Sequence, residues 1–230
     1  MSARLKVATA VTLLAGAALL GWFSAYRQQY YLLLSFMLAV LSLIPFLFRF
    51  ERKRVHAREL VLIAVLSAIA AVSRVPFAVL PSIQPTSFII IVSGWALGAE
   101  AGFIIGALAA FVSNLFLGQG LWTPWQMFSW GLMGLTAGLM RTWIRSRFGM
   151  TLFGFVWGFV FGWLMNLVGI VSGFGGVSWQ DILLLYALSF YFDLMHACSN
   201  AFFLWFFGLS FLRILARFCK KYGIFSGQNS

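Results

Sequence analysis

The chain has 230 residues, of which 62% are hydrophobic and only 9% are charged, and its formal net charge is +11. A soluble domain carries about 25% charged residues. This composition therefore excludes an ordinary water-soluble globule and makes lipid part of the solvent. The positive charge is not evidence of nucleic-acid binding, because it is confined to the ends of apolar stretches.

The basic residues fall in four short clusters, and only Arg27 and Arg74 lie outside them. The clusters are Arg4/Lys6, Arg49–Arg58, Arg141–Arg147 and Arg213–Lys221. Lys and Arg stay in the cytoplasm when a membrane protein inserts. An amino terminus in the cytoplasm would place all four clusters inside. We therefore expect a bacterial cytoplasmic-membrane protein with both termini in the cytoplasm.

The first two predicted elements are apolar spans at about 5–24 and 29–48, which form a hairpin over residues 1–50. The amino-terminal run resembles a signal peptide, but it is longer than a usual signal core and no clear Ala-x-Ala site follows. We expect it to be retained as a span. A basic cytoplasmic linker, residues 51–58, separates the hairpin from the rest of the chain.

The next segment begins with a span over about 58–74. Pro76–Thr86 contains three prolines and no charge, so it is predicted to be extended or turning. Residues 86–117 are too many for one straight crossing of about 20 residues and rather few for two. The stretch is broken near Gly98-Ala99-Glu100, and the sequence predicts two short helices joined by a tight turn at Glu100.

Three further helices complete the membrane domain, at about 125–144, 150–172 and 180–215. The predicted fold is an all-α integral membrane protein with eight transmembrane helices: an amino-terminal hairpin and then six helices over 59–217. Residues 218–230 would form a cytoplasmic tail. An outer-membrane barrel would instead need short segments of alternating hydrophobicity.

Small residues recur every four positions in two of these helices. Such rows allow close backbone approach between membrane helices, and packing is the favoured interpretation. The two rows are Gly94, Gly98, Gly102, Gly106 and Ala110, and Gly154, Gly158 and Gly162.

Polar residues inside the last helix are the strongest indication of a functional site. Ser189, Asp193, His196 and Asn200 fall on one stripe at 3.6 residues per turn. A charged Asp at mid-membrane costs at least about 2.5–3.5 kcal/mol, so it needs a partner or a wet cavity. One interpretation is that Asp193 and His196 satisfy each other. The other is a pocket, open to the outside, for a small molecule with apolar faces and amide-like edges.

An enzymatic function finds little support in the sequence. No nucleophile elbow, zinc-protease motif or Walker A loop is present. His196 is the only histidine within a predicted span after the linker, and no serine is evidently placed to pair with it. We expect no cofactor and no metal on this chain.

From about Arg58 onward the chain resembles the substrate-binding subunit, or S component, of energy-coupling factor (ECF) vitamin transporters. Three features carry the resemblance: the Ala64–Ala68 stretch of the first helix, the uncharged Pro-rich loop 75–86 and the six helices that follow the linker. The segments Pro81–Thr86 and Leu117–Met127 are most similar to the branch linked to cobalamin uptake. The hairpin at 5–48 has no counterpart in the six-helix plan.

The resemblance implies a high-affinity vitamin-binding subunit, most similar to those for cobalamin, that topples in the membrane to deliver its ligand. Its partners would be a coupling transmembrane subunit, docked on Ala64 and Ala68, and two cytoplasmic ATPases that use ATP. Amides would bind the ligand's polar edges, aromatic rings would cover its faces, and Asp193 would hold the deeper end. The expected substrate-binding residues are Gln84, Asn114, Trp122, Gln126, Asn166, Tyr186 and Asp193. The tryptophans, taken singly, also suit an interfacial belt.

Two alternatives remain from the sequence. The same fold could bind a different ligand, such as a queuosine precursor or a flavin. The chain could instead be a non-transporting assembly or scaffold protein, although a scaffold has no need of Asp193 in the membrane.

Overall fold

The computed structural model describes residues 57–144, 146–171 and 178–224, together with Met37. These ranges are helical and contain no strand. The helices are α1 (Ala57–Arg74), α2 (Pro85–Leu97), α3 (Ala99–Leu117), α4 (Thr123–Met140), α5 (Arg147–Val171), α6 (Trp179–Phe203) and α7 (Leu209–Tyr222). A π-helical turn at Leu204–Gly208 joins α6 to α7 in one continuous helix of 44 residues. The described chain therefore forms six helical rods.

Three of these rods are long and apolar enough to cross a membrane: α3, residues 147–170 of α5, and the joined α6–α7 helix. Helix α2 is apolar but only 13 residues long. The predicted amino-terminal hairpin lies outside the described residues, so the count of eight crossings stays a prediction.

The break predicted near Gly98-Ala99-Glu100 is confirmed, and Gly98 is the residue between α2 and α3. Gly98 has φ 95°, which a residue with a β-carbon rarely adopts, and its N–H bonds the carbonyl of Gly94. Glu100 falls in the first turn of α3. Proline at the first position of α2 fits this fold, because a helix start has no partner for that N–H.

Glycines bring the backbones of α2, α3 and α4 into direct contact. A β-carbon on Gly94 or Gly102 would collide with the carbonyl of Gly134 on α4, and one on Gly106 would collide with the carbonyl of Trp130. The packing predicted for this row is confirmed at these three positions.

The second glycine row packs α5 against α6. A β-carbon on Gly158 would overlap the backbone of Ala197, and one on Gly154 would overlap the side chain of Leu204. These contacts align α5 with the polar stripe of α6.

The bundle has two distinguishable ends. The upper end carries the α1–α2 connection, residues 75–84, and the α3–α4 connection, residues 118–122. At the lower end, Arg58 Nη1 donates to the carbonyl of Tyr222 at 3.3 Å, so the second and fourth basic clusters meet there. That this end faces the cytoplasm remains a prediction.

Candidate functional site

A buried hydrogen-bonded group, called the floor here, joins four helices below the upper end. Ser87 Oγ of α2 accepts from Trp130 Nε1 of α4 at 3.0 Å and lies 2.7 Å from His196 Nε2 of α6. Phe161 of α5 packs edge-on to His196 and tilted against Trp130, with centroid distances of 5.1 and 4.8 Å. The indole N–H can only donate, whereas the direction of the Ser87–His196 hydrogen bond depends on the tautomer of the imidazole.

One polar wall rises beside the floor, where α1, α3 and α4 meet, and it is called the arginine wall. Arg74 Nη1 donates to Ser113 Oγ at 2.9 Å and to Asn114 Oδ1 at 2.6 Å. The amide nitrogen of Asn114 donates in turn to Thr123 Oγ1 at 3.0 Å and to Gln126 Oε1 at 2.7 Å. Both N–H groups of the Asn114 amide are therefore used inside the protein, and its oxygen orients Arg74.

The other polar wall lies between α5 and α6 and is called the aspartate wall. Asn166 Nδ2 donates to Ser189 Oγ at 2.7 Å, and the same hydroxyl lies 3.1 Å from Asp193 Oδ2. Asp193 is 5% exposed. Its carboxylate fills the space that a β-carbon on Gly162 would occupy. Tyr186, about two turns above Asp193 on α6, donates to the carbonyl of Trp163 at 3.3 Å.

The two walls stand at similar heights over the floor. Helices α4 and α6 both run from the upper to the lower end. Gln126 precedes Trp130 by four residues and Asp193 precedes His196 by three. At 1.5 Å per residue, each wall begins about 4.5–6 Å above a floor residue of its own helix. Arg74 connects the arginine wall to the floor directly, because its guanidinium carbon lies 5.0 Å from the centroid of the Trp130 ring.

The two predicted residues in or next to the connections lie beside the walls, and Gln84 is close to the level of the floor because it is three residues before Ser87. The backbone N–H of Gln84 donates to Ser199 Oγ at 3.1 Å, which ties the α1–α2 connection to α6. Gln84 Oε1 is buried and has no hydrogen-bond partner among the described residues. Trp122 is 46% exposed at the start of α4, with its ring against Gly120.

The structure thus groups the seven predicted residues in three places rather than in one hydrogen-bonded set. Asn114 and Gln126 share the arginine wall, and Asn166, Tyr186 and Asp193 share the aspartate wall. Gln84 and Trp122 lie in or beside the connections at the upper end. Among the described residues, no hydrogen bond joins the two walls directly.

Two sequence-based interpretations are corrected by these contacts. His196 bonds Ser87, while Asp193 bonds Ser189, so the Asp–His pair is replaced by two serine contacts. A serine partner for His196 does exist, but Ser87 is 0% and His196 3% exposed. A substrate bond could not reach this pair, so it supports packing and orientation rather than hydrolysis.

Arg74 is the principal residue that the sequence analysis left out of the site. Its one available signal was its place outside the four basic clusters. A lone cation between an apolar helix and an uncharged loop indicates that something other than topology retains it.

The remaining predicted surface is on α1, where Ala64 and Ala68 are exposed. Val61, Val65 and Val72 are exposed on the same helix. Together they form a flat apolar strip that faces away from both walls.

Comparisons with known proteins agree with this architecture. The profile of the family described as "ECF transporter, substrate-specific component" matches residues 58–217. A UPF0397 protein of Aliivibrio salmonicida (strain LFI1238) is 28% identical over 133 residues, which cover 56% of this chain and 72% of the relative. A UPF0397 protein of Aliivibrio fischeri (strain MJ11) is 27% identical over 150 residues, 63% of this chain and 80% of the relative.

A UPF0397 protein of Vibrio atlanticus (strain LGP32) is 26% identical over 133 residues, 56% of this chain and 72% of the relative. No solved structure matches the chain significantly. The family match covers both walls, the floor and the connections above them. The chain therefore belongs to the family of substrate-specific components of ECF transporters.

Proposed function

We propose that this chain captures a vitamin, in the first place cobalamin, between its two polar walls and delivers it across the membrane. The observation that carries the proposal is the arrangement of these walls over a common buried floor. Polar side chains at this depth are costly unless they serve a ligand or each other. The arginine and aspartate walls do not satisfy each other, because the hydrogen bonds of the described residues join groups within one wall and not across the two.

Cobalamin suits the chemistry of these groups. Its corrin ring has two broad apolar faces, and its rim carries amide side chains. Gln84 offers a buried acceptor without a partner among the described residues, and Gln126 is 9% exposed at the edge of the arginine wall. Trp122 and Tyr186 would cover the apolar faces, while Asn166 and Asp193 would bind the opposite rim. The segments 81–86 and 117–127, which resemble the cobalamin branch, contain three of these residues, Gln84, Trp122 and Gln126.

A substrate-specific component works with a coupling module, so delivery requires partners. The exposed strip around Ala64 and Ala68 supports docking on a coupling transmembrane subunit, because small residues allow close and reversible helix contact. Two cytoplasmic ATPases would supply the energy. The bundle would topple with its ligand enclosed, so that Arg74 and Asp193 remain inside the protein.

The proposal is tested by equilibrium binding to the purified full-length chain in detergent. Cyanocobalamin, riboflavin and a queuosine-precursor base are titrated separately. We expect saturable binding of cyanocobalamin alone, which weakens in Asp193→Asn. Asp181→Asn is the matched control, because Asp181 is exposed and its carboxylate accepts from the N–H of Ser178, the N-cap residue of α6.

Other outcomes decide between the alternatives. Binding of riboflavin or the precursor base in place of cyanocobalamin would keep the transport function and replace the ligand. Failure of all three, together with purification from native membranes without coupling and ATPase subunits, would favour a scaffold and overturn the proposal.

A further inference from the structure

Arg74 carries a positive charge that is not in contact with any carboxylate among the described residues. Its hydrogen bonds go to the neutral oxygens of Ser113 and Asn114, and both use Nη1. A guanidinium has five N–H groups. Nε and Nη2 therefore keep three N–H groups for which the described residues provide no acceptor.

The surroundings fix the direction of this guanidinium. Trp130 covers it at 5.0 Å and is itself 0% exposed. The indole is held in turn by Ser87 and by the Phe161 ring. Asn114 Oδ1 holds Nη1 on the other side at 2.6 Å. The guanidinium is therefore held at one face by Trp130 and at Nη1 by Asn114. This leaves Nε and Nη2 as a preorganised pair of donors.

Retaining a cation here has a cost that packing does not explain. A neutral side chain could have bonded Ser113 and Asn114 without desolvating a charge. The connection that follows, Val75–Gln84, contains no acidic residue, and neither does 118–122. The carboxylate of Asp193 on the other wall bonds Ser189 instead, so a bound ligand is the remaining source of a negative charge in contact with Arg74.

We propose that Arg74 binds an oxyanion of the transported ligand, with a phosphate as the group that fits best. Nε and Nη2 would donate two parallel hydrogen bonds to two of its oxygens, the arrangement that arginine favours with phosphate and carboxylate. Asn114 and Trp130 are positioning residues for this contact. The inference rests on the proposed function, since it assigns the ligand of the same site. For cobalamin the group would be its phosphodiester.

The experiment uses inorganic phosphate as the probe on the purified full-length chain. Thermal unfolding in detergent is measured against phosphate concentration at fixed pH and ionic strength, with chloride as the replaced anion. A ligand that binds only the folded state raises the unfolding temperature in a saturable manner. We expect this response in the wild type, with its midpoint raised about tenfold or more in Arg74→Gln.

Two further variants keep the result interpretable. Arg217→Gln removes one exposed positive charge from α7 and should retain the wild-type midpoint. Arg74→Lys keeps the charge without the fork and should give an intermediate midpoint, which decides the matter if Arg74→Gln fails to fold. A wild type that is not stabilised by phosphate, or an Arg74→Lys midpoint equal to that of the wild type, would overturn the inference.

A second titration separates this inference from the choice of cobalamin. Cobinamide has the corrin ring without the phosphate and nucleotide. The wild type should bind cyanocobalamin more tightly than cobinamide, and Arg74→Gln should reduce that preference. Phosphate stabilisation without corrinoid binding would support the oxyanion site and reject cobalamin. Corrinoid binding with the same preference in both proteins would retain cobalamin and reject the role of Arg74.

Discussion

Ser87→Ala removes one oxygen atom from the floor and leaves two buried groups without their partner. Trp130 Nε1 loses its acceptor at 3.0 Å, and His196 Nε2 loses its contact at 2.7 Å. Water cannot replace the hydroxyl easily, because all three residues are at most 3% exposed. The alanine side chain occupies nearly the same volume, so the change tests hydrogen bonding rather than packing.

The expected loss of unfolding free energy is bracketed by two estimates. Interhelical hydrogen bonds in a membrane protein are worth about 0.6 kcal/mol each on average, which gives roughly 1 kcal/mol for two. Buried groups left without a partner cost about 1–3 kcal/mol each, which gives roughly 2–6 kcal/mol. Because the floor is closed to water, we expect about 2–3 kcal/mol.

The measurement is SDS-induced unfolding followed by far-UV circular dichroism. Ser67→Ala is the matched control, because Ser67 is 3% exposed and its hydroxyl bonds only the carbonyl of Ile63 in its own helix, at 2.8 Å. That carbonyl keeps its helical partner, so the control should lose less than about 0.5 kcal/mol. Equal losses for Ser87→Ala and Ser67→Ala would refute the argument that the floor depends on this hydroxyl.

The remaining predictions concern the aspartate wall and the strip on α1. Gly162→Ala should push the Asp193 carboxylate aside and lower the free energy of SDS-induced unfolding by about 1–3 kcal/mol. Gly169→Ala is the control and should change it little, because its β-carbon would meet Leu185 at an ordinary 3.6 Å. Similar losses in the two variants would contradict the contact between Gly162 and Asp193. Asp193→Ala should weaken ligand binding about tenfold or more while changing stability less; unchanged affinity with a large drop in thermal stability would make Asp193 structural. Ala64→Trp and Ala68→Trp should abolish uptake into cells while the isolated chain still binds ligand, and uptake that survives both would exclude the docking strip.

Much of the helix plan could be predicted from the sequence because its signals are local. Residues 86–117 had to break once, since the apolar stretch exceeded one crossing, and a glycine near its middle allowed the turn. The stripe on α6 was also predictable, since Asp193, His196 and Asn200 recur at helical spacing and all three are buried. The break was predicted near Gly98-Ala99-Glu100, and the structure places Gly98 between the two helices.

The pairing of polar groups could not be predicted in the same way. Ser87 and His196 are 109 positions apart, and Arg74 and Asn114 are 40 apart. Only the packing of α1, α2, α3 and α6 brings these pairs together. Asp193 and His196 were close in sequence and therefore looked like natural partners. Instead, His196 bonds Ser87 on a neighbouring helix, and Asp193 bonds Ser189 one turn earlier on its own helix.

The separation of Arg74 from Asp193 follows from what the site has to do. In a medium of low dielectric, opposite charges attract strongly and would gain from direct contact. Arg74 and Asp193 instead bond neutral groups on their own walls, so each keeps its charge and some hydrogen-bonding groups for a ligand. In the ligand-free site the two formal charges also sum to zero. When the empty bundle returns in the proposed toppling cycle, the two charges would move together, and the membrane potential, about 2.3 kcal/mol per elementary charge per 100 mV, would do almost no net work on the pair. An empty site with the arginine alone would be resisted on its return, and the second charge removes that cost.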